Sequence, residues 1–265
     1  MKANEITIPS SGLVLHAREL SLLLFAGVMC LIAVIAPHIH QPDSYHNFAD
    51  QRTLLCIPCA LDVLSNVPFA IAGILGLVLL RKNAPLRQHN QTLHDMFMLF
   101  FYGLVITSVC SSVYHLNPNN QFLWLDRMGM TVSFAGILGV AVSSRISNRA
   151  GRATAYTILI AAPMSLWIWQ TNDNLTPWCI LQLSGVLLIL VLGCIKSKNN
   201  MLRVPLVPIA LWYALAKLFE TFDQQIFILT AGGVSGHSLK HVIAAMAAAP
   251  ILLMLYRQYS LRSNK

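Results

Sequence analysis

The sequence predicts an all-α integral membrane protein, a bundle of helices whose main solvent is lipid, and three observations carry that prediction. Of its 265 residues, 56% are hydrophobic and only 11% charged, with a mean hydropathy of +0.62, a balance far from that of a soluble domain. The apolar residues fall in long uncharged runs. The basic residues gather in one set of loops and most acidic residues in the other, as the two sides of a membrane require.

The runs cover residues 20–36, 63–80, 96–114, 128–144, 153–169, 175–195, 204–216 continuing past Lys217, and 241–256. That makes about eight spans, each near the roughly 20 residues needed to cross a hydrocarbon core, where only helices satisfy their own backbone groups. The seventh carries the weakest signal. The first run follows Arg18 and ends in Val34-Ile35-Ala36, which loosely resembles a signal cleavage site. Pro37 directly after it and the length of the run favour a retained anchor. The chain therefore divides into an anchor helix (about 20–36) with an extracytoplasmic loop over 1–61, a helical core over 62–257 and a basic tail over 258–265.

A net charge of +8 could suggest a nucleic-acid partner, but the placement of the charges points to membrane sidedness instead. Arg81, Lys82 and Arg87 share one loop, Arg145, Arg149 and Arg152 the next but one, Lys196, Lys198 and Arg203 another, and Arg257, Arg262 and Lys265 the tail. With Lys2 and Arg18, fourteen of the eighteen basic residues lie on one side. The opposite side holds seven of the ten acids, among them Asp43, Asp50, Asp173, Glu220 and Asp223. The positive-inside rule then makes both termini cytoplasmic, which an even number of spans also demands.

On this topology the unusual polar residues collect in one extracytoplasmic layer. His115 ends the third span, Asp126 begins the fourth, Glu220 and Asp223 end the seventh, and His237 and His241 begin the eighth, while Asp62, Ser65 and Asn66 open the second. Ionisable groups at membrane depth cost about 2.5–3.5 kcal/mol each on insertion scales and usually mark a site or pathway. His237 and His241 form His-x-x-x-His, which on a helix projects two imidazoles from one face about 6 Å apart. It is not the zinc-protease motif, because Ser238 stands where that motif has Glu. Ser111 and His115 repeat the same spacing, and the turn 116–120 returns the next helix with Asp126 near its start. Three imidazoles and one open position make the coordination of a catalytic zinc, and His115, His237 and His241 supply that number.

The set Ser111-x-x-x-His115, Asp126 eleven residues later and His237-x-x-x-His241 in the last span resembles the alkaline ceramidases, whose wider superfamily includes the adiponectin receptors. Asp62-Val-Leu-Ser65-Asn66 resembles the first core helix of that family, so the similarity runs from about Asp62 to Tyr256. The resemblance implies a core of seven transmembrane helices, preceded here by one additional N-terminal span. It implies Zn2+ on His115, His237 and His241, with Ser111 and Asp126 as the catalytic residues beside it, and hydrolysis of a ceramide-like or other N-acyl lipid to fatty acid and amine. Asp126 would accept the water proton or orient a ligating imidazole, and Ser111 would donate to the oxyanion. Eukaryotic members also carry Ca2+; Asp43, Asn47 and Asp50 offer oxygen ligands but match that pattern poorly. The segment 45–52 and Lys217-x-x-Glu220-x-x-Asp223 look more like bacterial members, which implies a cytoplasmic-membrane location. Lys217 and Glu220, three apart, read as a helix-end ion pair.

Several alternatives share these residues. A metal-containing receptor or lipid-binding protein of the same superfamily would use the three histidines without turnover, and a transporter would use Glu220, Asp223 and the histidines as a relay. No inverted repeat or pair of broken helices speaks for transport. Gly233-x-Ser235-Gly236 imitates the rhomboid serine protease motif, but the only histidine after it, His241, lies on the same span. Cys56-x-x-Cys59 reads as a disulfide candidate without a catalytic role. His38, His40 and His46 are loop residues outside the site, and Trp167, Trp169 and Trp178 read as an interfacial belt.

Overall fold

The computed structural model describes residues 5–7, 14–197 and 202–263; Lys2, Lys198 and Lys265 lie outside the described residues. A short hairpin of β1 (Glu5–Thr7) and β2 (Val14–His16) precedes the helices, a feature the hydropathy did not announce. Helix α1 (Ala17–Ile35) packs on the outside of the bundle and is largely exposed along its length. Its first turn is nonetheless pinned. Glu19 accepts hydrogen bonds from Ser147 Oγ and Arg149 Nη2, both at 2.6 Å, and Arg18 Nη1 donates to the Arg145 carbonyl at 2.9 Å.

The core begins with α2 (Ala60–Leu64) and α3 (Val67–Lys82), one rod interrupted at Ser65-Asn66 where Pro68 enters the first turn of α3. After the short α4 (Ala84–His89) come α5 (Gln91–Leu116), α6 (Asn120–Arg145) and α7 (Asn148–Asn172). Each of these three starts at a capping side chain: Asn90 accepts from Leu93 N, Asn119 from Phe122 N and Ser147 from Ala150 N. Then follow α8 (Thr176–Gly193), α9 (Leu206–Thr221), α10 (Asp223–Leu229), α11 (Gly236–Met246) and α12 (Ala249–Ser263).

Among the described residues six helical rods are long and apolar enough to cross a membrane: Ala17–Ile35, Ala60–Lys82, Gln91–Leu116, Asn120–Arg145, Thr176–Gly193 and Gly236–Leu261. The chain is thus an all-α, multi-pass membrane protein. Two of the eight expected spans fall outside this set for different reasons. Helix α7 is long, 25 residues, but carries Arg149 and Arg152 in its first turns and Gln170 and Asn172 in its last. Helix α9 is only 16 residues, too short to cross alone.

The helices pack in chain order around a closed ring: α3 on α5, α5 on α6, α6 on α7, α7 on α8, α8 on α9, α9 on α11, and α11 and α12 back on α3. The tightest approach is between α5 and α6, where small residues let two backbones meet. A Cβ on Gly136 would lie 2.3 Å from Phe100 N, and one on Gly103 would lie 2.1 Å from Ser133 N. This contact fixes the ends of α5 and α6 that carry Ser111, His115 and Asp126.

Candidate metal centre

Two helix ends meet at the pole of the ring where the sequence places its polar layer. His115 closes α5, His237 and His241 occupy the first two turns of α11, and all three are buried, at 0%, 4% and 6% exposure. Their rings form a triangle with centroid separations of 4.9, 4.9 and 5.0 Å and each pair is edge-to-face. One ligating atom from each can be chosen so that all lie within 4.8 Å of one another.

One pair of the three meets the spacing that a tetrahedral ion requires. In a tetrahedral site with metal–nitrogen bonds near 2.0–2.1 Å, two ligand nitrogens stand about 3.3–3.4 Å apart. His115 Nε2 and His237 Nε2 are 3.3 Å apart. The third ring is presented by its neighbours: Ser65 Oγ donates to the Asp62 carbonyl at 2.9 Å, so its oxygen is left to accept from His241 Nδ1–H at 2.8 Å. That tautomer keeps the His241 Nε2 lone pair for a cation.

The start of α11 is held by a second set of bonds. Ser235 caps the helix by accepting from Ser238 N at 3.0 Å, and Asp223 Oδ1 accepts from His237 N at 2.7 Å. The other Asp223 oxygen accepts from Ala49 N at 2.9 Å, tying the loop between α1 and α2 to the same point. Asp62, fully buried, accepts from Ser238 Oγ at 2.5 Å and from Ser235 Oγ at 3.4 Å. Ser235 is therefore a structural cap, and its hydroxyl meets a serine and a carboxylate instead of an imidazole. Gly236 is required for the close approach, since a Cβ there would come within 2.3 Å of the Phe219 carbonyl.

The loop between α1 and α2 roofs the site. Phe48 packs on His237 and His115 at centroid distances of 4.3 and 4.9 Å, and Tyr114 lies 4.8 Å from His115. His46 bonds the Tyr114 hydroxyl and Asn120 Oδ1, both at 2.9 Å, and His40 bonds Asp173 at 2.9 Å. These loop histidines pin the roof and take no part in the triangle. Arg52 grips Asp50 through two bonds of 2.7 Å. Those contacts hold the Asp50 carboxyl below the usual carboxylate range and engage both of its oxygens, one of which the calcium reading required.

Beside the triangle lies a cavity of about 450 Å³, within the range of small-ligand sites. His241, Ser111 and Asp126 form part of its wall. His115 and His237 sit behind that wall, under Phe48. The cavity is walled chiefly by apolar side chains such as Phe100, Leu104, Phe134, Ile137, Val186 and Ile189. From Asp126 to Ile137 along α6 is eleven residues, about 16 Å.

Four expectations change on contact with the structure. Asp126 makes no described bond to an imidazole; the orienting bond to His241 comes from Ser65, which hydropathy marked only as an unexpected polar residue. Cys56 and Cys59 are both free, Cys56 exposed and Cys59 turned inward at the start of α2. Trp169 and Trp178 are buried at 3% and 4%, so only Trp167, at 64%, has the exposure of a belt residue. Glu220 pairs with Lys217 at 2.6 Å as its spacing predicts, yet its other oxygen takes Lys240 Nζ, also at 2.6 Å. That second partner comes from α11 and leaves no trace in local spacing. The chain matches no protein-family model and no curated protein.

Proposed function

We propose that the chain is a zinc-dependent membrane amidohydrolase that cleaves the amide bond of an N-acyl lipid, of the alkaline ceramidase type. One observation carries the reading: three buried imidazoles close enough to share one cation adjoin an apolar cavity whose wall also holds Ser111 and Asp126. In this reading the ring α3 to α12 is a seven-helix transmembrane core, with α7 and α9 completing it through their neighbours' contacts. Helix α1 is an added span, both termini are cytoplasmic and the site faces outward.

The donor set favours zinc, since three imidazole nitrogens that leave a fourth position open suit that borderline ion. When bound on His115, His237 and His241, the ion supplies a water ionising near pH 7 and polarises the carbonyl. The remaining work falls to the chain. Asp126 stands at the cavity wall to take the proton from the attacking water and to return it to the departing amine. Ser111 lies within the same wall, where its hydroxyl can donate to the oxyanion. Ser65 fixes the ring of His241, and Phe48 and Tyr114 keep bulk water from the imidazoles on the roof side. The acyl chain lies along α6, where the lining residues Asp126 to Ile137 span about 16 Å, roughly half of a hydrocarbon core about 30 Å thick.

An amidase assay paired with metal analysis tests this. Asp126→Ala is expected to abolish release of fatty acid with metal retained, and His237→Ala to lose both. Full activity in either variant ends the proposal.

A further inference from the structure

The polar end of the cavity carries more positive than negative charge. Among the described residues lining it, Arg127, Lys217 and Lys240 are cationic and Asp126 and Glu220 anionic. Glu220 gives one oxygen to each lysine, so the two cations share a single carboxylate. Among the described residues Arg127 makes no ion pair with a carboxylate. Its Nη2 donates to the neutral Gln41 Oε1 at 2.7 Å, its Nη1 has no hydrogen-bond partner, and the residue is only 6% exposed. The guanidinium lies 4.4 Å from the Trp169 ring and 5.6 Å from that of Tyr45, which hold it at the wall without neutralising it. All three cations line the same cavity, and Tyr45, which faces Arg127, lines it with them.

A neutral amino-alcohol headgroup gives these cations nothing to bind. A buried guanidinium with an unused donor is costly unless an anion completes it, and its fork is the preferred geometry for carboxylate and phosphate. The partial pairing seen here leaves one arm for a ligand.

We infer that the lipid bound in this cavity carries an anionic group, a carboxylate or a phosphate, on its amine half, and that Arg127 is the residue that selects it. The inference rests on the amidase reading for the word substrate, but the anion preference is a property of binding. In a hydrolytic cycle the polar product would then be an amino acid or a phosphorylated amino alcohol, with a free fatty acid as the other. Arg127 acts here on specificity, with Asp126 next to it in sequence performing the proton transfer.

The test uses three palmitoyl amides that differ only in the amine: N-palmitoyl ethanolamine, N-palmitoyl glycine and N-palmitoyl ethanolamine phosphate. Binding to the metal-loaded protein in detergent is read by tryptophan fluorescence, with Trp169 and Trp178 beside the site, and hydrolysis is read in parallel. One or both anionic lipids are expected to bind about tenfold or more tightly than the neutral one, the size of a charged hydrogen bond. The stronger of the two identifies which anion the site takes. Arg127→Gln should erase that difference and leave neutral binding within about twofold. The preference should persist in His237→Ala, which separates Arg127 from the metal.

Equal binding of all three lipids overturns the inference, as does a preference that vanishes with His237→Ala. A loss in Arg127→Gln that is the same for every lipid assigns Arg127 a purely structural role and also overturns it. Anion-selective binding without hydrolysis of any lipid keeps the inference and removes the amidase reading. Hydrolysis with a neutral preference does the reverse.

Discussion

Ser65→Ala removes a hydroxyl that touches neither cavity nor cation, yet the structure makes it a determinant of metal affinity. The hydroxyl accepts His241 Nδ1–H at 2.8 Å and donates to the Asp62 carbonyl at 2.9 Å. Without it, an imidazole that is 6% exposed loses the bond that fixes its tautomer and angle. Losses of such supporting partners weaken metal binding by about 10- to 100-fold, or about 1.4–2.8 kcal/mol at 1.4 kcal/mol per decade. An unpaired buried N–H costs a similar amount, about 1–3 kcal/mol, so the two routes agree. Zinc affinity would be measured by competition with a chromophoric chelator in detergent. Ser112→Ala is the control: its hydroxyl bonds only the Val63 carbonyl, at 3.2 Å, and its loss should change affinity by less than about threefold. A Ser65→Ala protein as tight as that control would refute the orienting role.

Two further perturbations probe the frame around the site. Gly136→Ala places a Cβ 2.3 Å from Phe100 N and 2.5 Å from its Cα, so α5 and α6 must part; the expected loss is about 1–3 kcal/mol. Thermal unfolding in detergent reads it against Gly27→Ala, where nothing lies within 4 Å of the new methyl; equal stability would refute the close-approach argument. Asp50 has a folded-state pKa below its usual 3.8, caused first by the Arg52 hydrogen bonds. Its contribution to stability is therefore present above pH 3.8 and is lost as pH falls through the lower folded value. Asp50→Asn should be less stable than wild type at neutral pH, with the gap closing only in acid; a gap that widens in acid contradicts the assignment.

How much of this was legible before any coordinates depends on the range of each interaction. Spacing within a helix is a local property, so the pairing of His237 with His241, of Ser111 with His115 and of Lys217 with Glu220 could all be read from intervals of three and four. The return of α6 after a short turn likewise put Asp126 beside Ser111. The ring that brings α5 to α11 is not local; that three distant imidazoles form one triangle followed only from the resemblance and from the shared membrane side. Ser65, Asp62 and Asp223 stood out as polar where lipid was expected, but their partners lie on other helices, and no spacing names them. Lys240 looked like one stray cation in an acidic layer until Glu220 appeared across α9. Phe48 gave no signal, because an aromatic residue in a loop is common and only its stacking on two imidazoles makes it part of the site. Hydropathy placed α1, α2–α3, α5, α6, α8 and α11–α12 correctly. Helices α7 and α9, which hydropathy also read as spans, fall below the length or hydropathy of the other six, one carrying charge at its start and the other being only 16 residues long.

The central claim is that His115, His237 and His241 bind a single cation. Elemental analysis with X-ray absorption on the purified protein tests it most directly. The account predicts one zinc per chain with three imidazole nitrogens at about 2.0–2.1 Å, lost in each of His115→Ala, His237→Ala and His241→Ala. A protein that folds but takes up no zinc from a zinc-supplemented buffer, or that keeps it when all three histidines are replaced, would contradict it.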